Sequence, residues 1–216
     1  MQLIGMLDSP YVRRVAIALL RLGLGFEHRP LSLFRDIDAF RAINPVLKAP
    51  TFIADDGTIL MDSSLIIDYA QSLAPHAPRL TPAAPAARLT SYRLNGLGLA
   101  VSEKAVQLHY ERSLRPPERQ HEPWRQRVLG QLAAGLEGLE REAMKAQNWL
   151  VDEGPMLADI TVATAFAFTQ TYVSDVVAKS AYPALAAFCA RAEALAEFRA
   201  APAEDGVKVA APVAVA

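Results

Sequence analysis

The sequence contains one cysteine, Cys189, in 216 residues. A single thiol rules out a disulfide framework and a cysteine-rich zinc site, and it agrees with a reducing compartment. An excess of charge of one sign is also missing: 22 Lys and Arg stand against 23 Asp and Glu, for a net charge of −1. A nucleic-acid-binding domain would be basic. A disordered chain would carry more net charge and fewer apolar residues than the 52% present here. No hydrophobic run is long enough to span a membrane. The longest weakly charged stretch, residues 157–173, contains Asp159, Gln170 and four threonines. It falls short of the roughly 20 apolar residues that a span needs, so it reads as a buried helix. The opening Met1-Gln2-Leu3-Ile4-Gly5 lacks the basic start and apolar stretch of a signal peptide, which makes the cytoplasm the expected location. His28, His76, His109 and His121 show no ligand spacing with Cys189 or with one another, and no metal is expected.

What is present divides the chain in two. Over the first 76 residues, strand and helix signals alternate. Residues 3–5 read as a strand. Residues 9–22 read as a helix, with Val12, Val15, Ala16, Leu19 and Leu22 at steps of three and four, closed by Gly23 and Gly25. Residues 26–31 form a second strand, and residues 36–43 a short helix ended before Asn44-Pro45. Residues 51–54 and 58–61 are strands joined at Asp55-Asp56-Gly57, a hairpin signal, and Asp62-Ser63 caps a further helix. The order is βαβ-α-ββ-α, with strands one and two parallel and an antiparallel hairpin added. Residues 77–85 are rich in proline and read as a linker. Beyond it every signal is helical: residues 86–114, an interruption at Pro116-Pro117, then 122–147, 157–173, 184–190 and 192–200. The architecture is therefore an α/β domain over 1–76 followed by an all-helical domain over 86–200, with residues 201–216 as a flexible tail.

Three short segments carry polar groups at element ends. Ser9-Pro10 opens the first helix, either as an ordinary N-cap with proline at N1 or as a hydroxyl aimed at a ligand. Partial positive charge at a helix start favours an anion there, a thiolate included. Lys48-Ala49-Pro50 precedes the third strand, where the proline either begins an edge strand or forms a cis bond that turns Ala49 toward a peptide-like ligand. Asp62-Ser63 is a cap, or else a hydroxyl, a carboxylate and backbone N–H groups suited to an amino-acid headgroup. Arg13-Arg14 reads as an exposed basic helix face, with bordering an anion as the other reading. Trp124 and Trp149 read as packing residues.

Taken together, these segments resemble the cytosolic glutathione S-transferase family, as a bacterial-type member with a serine hydroxyl. The match runs through Ser9-Pro10-Tyr11-Val12-Arg13-Arg14-Val15, Asn44-Pro45-Val46-Leu47-Lys48-Ala49-Pro50 and Asp62-Ser63-Ser64-Leu65-Ile66. Leu157-Ala158-Asp159-Ile160 looks like the family's buried capping motif. The resemblance implies a thioredoxin-like first domain and a helical second domain of the transferase type, assembled as a homodimer. It implies glutathione as co-substrate, with a small electrophile as the other reactant and no nucleic-acid or membrane partner. Ser9 matches the catalytic hydroxyl. Lys48 matches the residue meeting the glycyl carboxylate, Ala49 the backbone pairing with the cysteinyl part, and Pro50 the cis-proline. Asp62 and Ser63 match the pair holding the γ-glutamyl end. Tyr11 offers a second hydroxyl near the thiol. With Glu103, Gln107 and Tyr110 it belongs to the second-substrate residues, expected between the domains near the long helix. The implied role is detoxifying transfer, in which glutathione thiolate attacks an electrophilic carbon. The alternative is a non-catalytic glutathione-binding or interaction module on the same fold, such as a transcription or translation accessory. Isomerisation or reductive cleavage would use the same thiolate.

Departures from the family pattern also carry information. Position 9 is Ser rather than Cys, which argues against thiol exchange through a mixed disulfide on the protein. Met156 replaces the Ser or Thr of the capping box, so the hydroxyl opposite Asp159 is lost. The serine-rich signature of the maleylacetoacetate-isomerase branch is absent near Ser9.

Overall fold

The structure is a computed structural model that describes residues 1–151 and 154–203. The chain forms two compact units, Met1–Leu80 together with the described residues from Ala194 onward, and Thr81–Glu193. In the first unit the order is β1 (Gln2–Ile4), α1 (Pro10–Arg21), β2 (Glu27–Arg29), α2 (Ile37–Ile43), β3 (Thr51–Ile53), β4 (Ile59–Met61) and α3 (Ser63–Leu73). The sheet order is β2-β1-β3-β4. β1 runs parallel to β2 and antiparallel to β3, and β3 pairs antiparallel with β4. This is the thioredoxin-like arrangement that the element order predicts. β2 is shorter than its sequence signal because Pro30 has no N–H to give the ladder.

The core of this unit forms where the apolar periodicities meet. Leu3, Ile4 and Phe52 of the central strands are fully buried, as are Val12, Val15, Ala16 and Leu19 of α1 and Ile66, Ile67 and Ala70 of α3. α1 stops at Gly23, whose N–H donates to Leu20 O while Leu24 N–H reaches Leu19 O. Gly5, just past β1, has φ +133°, and a Cβ there would lie 2.7 Å from Val12 Cγ2 and 3.1 Å from Ala49 Cβ. Only glycine lets the chain turn so closely against both α1 and the segment before β3.

The second unit is helical, with α4 (Pro85–Ser113), α5 (Glu122–Lys145), α6 (Leu157–Tyr172) and α7 (Pro183–Glu193), and 3-10 turns at Pro117–Arg119 and Lys179–Ala181. α6 is buried along nearly its whole length, as its lack of charge predicts. α4 approaches it closely at Gly98, where a Cβ would sit 2.9 Å from Thr161 Cγ2. Thr161 Oγ1 donates to Asn95 Oδ1 at 2.7 Å across the same contact. The start of α6 is held by Asp159, fully buried, whose carboxylate accepts the N–H groups of Met156 and Leu150, each at 2.8 Å. On the reciprocal side the Asp159 N–H meets the Met156 thioether, a weaker acceptor than the hydroxyl it replaces. The first turn of α7 is capped by Glu140 of α5, which accepts from Ala184 and Leu185 N–H at 2.9 and 2.7 Å. No helix among the described residues is long and apolar enough to cross a membrane.

Three expectations need correction. The last helix, α8 (Ala196–Ala200), does not belong to the helical unit; it packs on α1. Arg13 Nε donates to Ala201 O at 2.8 Å and the guanidinium lies 5.5 Å from the Phe198 ring centre, while Arg21 pairs with Glu197 at 3.0 Å. Ala201 is accordingly buried, and the remainder of the expected tail, from residue 204 on, lies outside the described residues. Arg13 and Arg14 are not a solvated face. They are 3% and 1% exposed: Arg13 is covered by Phe198 and Ala201, and Arg14 lies against the Ser63 and Ser64 hydroxyls. Trp149 packs edge-on against Phe188, but Trp124 is 41% exposed near the start of α5.

Candidate functional site

The strand register decides what meets what. Ile4 lies opposite Thr51, and Thr51 opposite Met61. The residues that follow Ile4, precede Thr51 and follow Met61 therefore leave the sheet at one end. Gly5 through Ser9, Lys48 through Pro50 and Asp62 through Ser64 are those residues, and the contact of Gly5 with both Val12 and Ala49 closes the first two together. The structure thus gathers Ser9, Lys48, Ala49, Pro50, Asp62 and Ser63.

Ser9 is the N-cap of α1, with φ −66° and ψ 124° and Pro10 behind it at N1. Its Oγ accepts only a long bond, 3.4 Å, from Val12 N–H. Because the hydroxyl accepts in that contact, its hydrogen is not consumed by capping. Ser9 is half-buried, so a donor sits at the positive end of a helix with a path to a ligand. Tyr11, in the first turn of α1, is also half-buried and lies within electrostatic reach of Arg14.

The segment before β3 is held by a buried polar relay. Asn44, 2% exposed, donates from Nδ2 to Thr51 Oγ1 at 2.8 Å and accepts Val46 N–H at 3.0 Å. Thr51 Oγ1 donates onward to Lys48 O at 2.7 Å. Leu47 takes φ +54° and the Ala49–Pro50 peptide is cis. The Lys48 side chain is exposed and Pro50 is buried.

At the third segment Asp62 has φ +75°, and its Oδ1 accepts Ser64 N–H at 2.8 Å and Leu65 N–H at 3.4 Å. This corrects one expectation: those two backbone donors serve Asp62 itself and are not left for a ligand. The Asp62 carboxylate is exposed, whereas Ser63 is 4% exposed. Arg14 Nη1 donates to Ser63 Oγ at 2.8 Å and to Ser64 Oγ at 3.1 Å. Burial brings its guanidinium pKa down to about 10 against the opposing pull of Asp62 and Tyr11, which leaves it charged at neutral pH.

On α4, Gln107 Nε2 donates to Glu103 Oε1 at 2.8 Å, and Lys104 pairs with Glu103 at 3.1 Å. Tyr110 is 37% exposed and neighbours His109, whose ring lies 4.6 Å from that of Tyr172. Among the described residues no three His, Cys, Asp or Glu side chains gather as metal ligands would. Sequence reasoning weighed Arg14 as an exposed basic residue or one bordering an anion, not as a brace for α3, and it passed over Asn44 and Thr51 as functional residues. Asn44 signals itself only as a polar residue between a helix end and a proline. Nothing local shows that Arg14 is buried, since its partners lie 49 and 50 residues away.

A sheet of this order that presents a helix start, a cis-proline turn and a second helix start at one end places the first unit in the thioredoxin-like fold class. Comparison with known proteins narrows the class. Residues 3–79 match the family description "Glutathione S-transferase, N-terminal domain", and residues 122–191 match "Glutathione S-transferase, C-terminal domain". The chain belongs to the glutathione S-transferase family. It is 30% identical over 155 residues to a maleylacetoacetate isomerase of Pseudomonas aeruginosa, covering 68% of this chain and 71% of that one. A glutathione S-transferase of Methylobacterium radiotolerans, solved with glutathione sulfonate, is 26% identical with a TM-score of 0.84, covering 100% of this chain and 98% of the other. Another from Methylobacillus flagellatus, solved with glutathione bound, has the same identity and TM-score over 93% and 98% of the two chains.

Proposed function

We propose that this protein binds glutathione at the shared sheet end and activates its thiol through Ser9 for attack on a small electrophile. The observation that carries this reading is a half-buried Ser9 hydroxyl, only weakly engaged at the start of α1, at the sheet end that Ala49–Pro50 and Asp62-Ser63 share. The bound glutathione of structural relatives supports it. In this reading Asp62 takes the γ-glutamyl ammonium and Ser63 its carboxylate. The Ala49 backbone pairs with the cysteinyl unit, and exposed Lys48 meets the glycyl carboxylate. Tyr11, Glu103, Gln107 and Tyr110 are the proposed second-substrate residues, and the proposed working assembly is a homodimer.

The chemistry follows from the thiol. With a free pKa near 8.5, about 3% is thiolate at pH 7. A hydrogen bond from Ser9 and the partial charge of α1 both stabilise the anion more than the neutral thiol, so the pKa falls. Ser9 donates to the nucleophile and forms no bond to carbon. The thiolate sulfur attacks, a carbon–sulfur bond forms, and the leaving group or the newly formed carbanion takes up the charge. A hydrogen bond to a charged acceptor is worth about 1.5–3 kcal/mol, which corresponds to roughly 1–2 pKa units.

Titration of bound glutathione by thiolate absorbance tests this. Cys189, the protein's one cysteine, does not obscure the signal, because burial raises its thiol pKa far above neutrality. The expected result is a lowered pKa in the wild type that rises by about 1–2 units in Ser9→Ala with glutathione still bound. Equal values in the two proteins reject Ser9 as the donor. Binding without any lowered pKa favours the non-catalytic module. A second reading, glutathione-dependent isomerisation, is favoured by the 30% identity to maleylacetoacetate isomerase. It uses the same thiolate but returns glutathione unchanged, so loss of free thiol during turnover separates the two.

A further inference from the structure

Arg14 is buried at the start of a helix that is not its own. Its guanidinium bonds the hydroxyls of Ser63 and Ser64, the first two residues of α3, at 2.8 and 3.1 Å. The first turn of a helix carries partial positive charge, so a cation there adds like to like. The exposed carboxylate of Asp62 is one group whose charge acts on it. A 1%-exposed cation placed beside a helix N-terminus makes this corner favourable to an anion.

The hydrogen-bond directions add a second argument. A guanidinium only donates, and a serine hydroxyl has one hydrogen and two lone pairs. With Arg14 occupying a lone pair on Ser63 Oγ, the Ser63 hydrogen has to point elsewhere, and a cation on the oxygen strengthens it as a donor. Asp62, held at φ +75° by its cap to Ser64 and Leu65, sits on the same turn. Fixing Ser63 and Ser64 from beneath therefore fixes the turn that presents both groups.

We infer that Arg14 is a positioning residue for carboxylate recognition, orienting the Ser63 hydroxyl as a donor and supplying buried positive charge to the γ-glutamyl carboxylate site. The inference rests on the glutathione reading above. It differs from a merely structural role in being specific to one carboxylate of the ligand.

The test compares binding of glutathione with that of 4-aminobutyryl-cysteinyl-glycine, which keeps the amine, thiol and glycyl end but lacks the γ-glutamyl carboxylate. Calorimetric affinities are measured on wild type, Arg14→Met, Arg14→Lys and Ser63→Ala, with melting curves to establish folding. Wild type is expected to prefer glutathione by about tenfold or more. Arg14→Met should lose most of that preference while its affinity for the analogue changes little, and Arg14→Lys should recover part of it. Ser63→Ala, which leaves the buried cation in place, should also lose preference, and it decides the matter if Arg14→Met does not fold. Equal weakening of both ligands in Arg14→Met overturns the inference, as does full preference in Ser63→Ala. A wild type that binds both ligands equally overturns it while leaving the glutathione reading intact. A wild type that binds neither overturns that reading as well.

Discussion

Asp62 does two things with one side chain. Its Oδ1 caps α3, and its exposed carboxylate is the proposed partner of a ligand ammonium. Substitutions can separate these roles. Asp62→Asn keeps an acceptor oxygen and removes the charge, so stability should change by less than about 0.5 kcal/mol while glutathione affinity falls about tenfold. Asp62→Ala removes both, and should cost a further ~1 kcal/mol of stability. Calorimetric titration and urea midpoints read the two effects independently. Unchanged affinity in Asp62→Asn would remove Asp62 from the binding site. At this scale the sequence was a fair guide to residue identity, since the hydroxyl, proline and carboxylate singled out all arrive at one sheet end. It was a poor guide to solvation: Arg14 looks like any surface arginine until its partners in α3 are known.

The starts of α6 and α7 are held by carboxylate contacts, one from the helix itself and one from another helix. α7 begins with Pro183 and takes its first-turn acceptor from Glu140 of α5. α6 begins after Met156 and relies on Asp159 to gather the Leu150 and Met156 N–H groups. Each buried donor left without its acceptor costs about 1–3 kcal/mol. Asp159→Ala is therefore expected to destabilise the protein by on the order of 3 kcal/mol, seen as a lower urea midpoint at unchanged slope. A loss under about 1 kcal/mol would mean the carboxylate is not what holds the α6 start. The thioether at position 156 weakens one half of the capping box, yet the half supplied by Asp159 is complete. Element identity was readable from periodicity and caps. Element length was less so, as Pro30 in the expected second strand shows.

At the scale of the molecule, the chain leaves its first unit, builds the helical one and comes back through α8 to bury Arg13, Phe198 and Ala201 against α1. Removing the chain from Ala194 on would therefore strip a face of the glutathione-binding unit, not trim a tail. The proposed assembly is testable in the same terms. Light scattering is expected to give twice the 23.4 kDa chain mass at micromolar concentration. A stable monomer of 23.4 kDa would refute the homodimer while leaving the site within each chain unaffected.

By itself the sequence determined the βαβ-α-ββ-α order, the hairpin at Asp55-Asp56-Gly57, the switch to helix beyond the proline-rich stretch and the three polar segments that meet at one sheet end. Those features rest on interactions within a few residues, where spacing, caps and turn chemistry act directly. Only the tertiary structure decided that Arg14 lies beneath Ser63 and Ser64, that Asn44 and Thr51 brace Lys48, and that α8 belongs with α1. Arg14 and Ser63 are 49 residues apart, and Arg13 and Ala201 are 188. Whether a charge is desolvated, and by what it is satisfied, depends on which distant groups the fold brings within hydrogen-bond reach, and no local pattern encodes that.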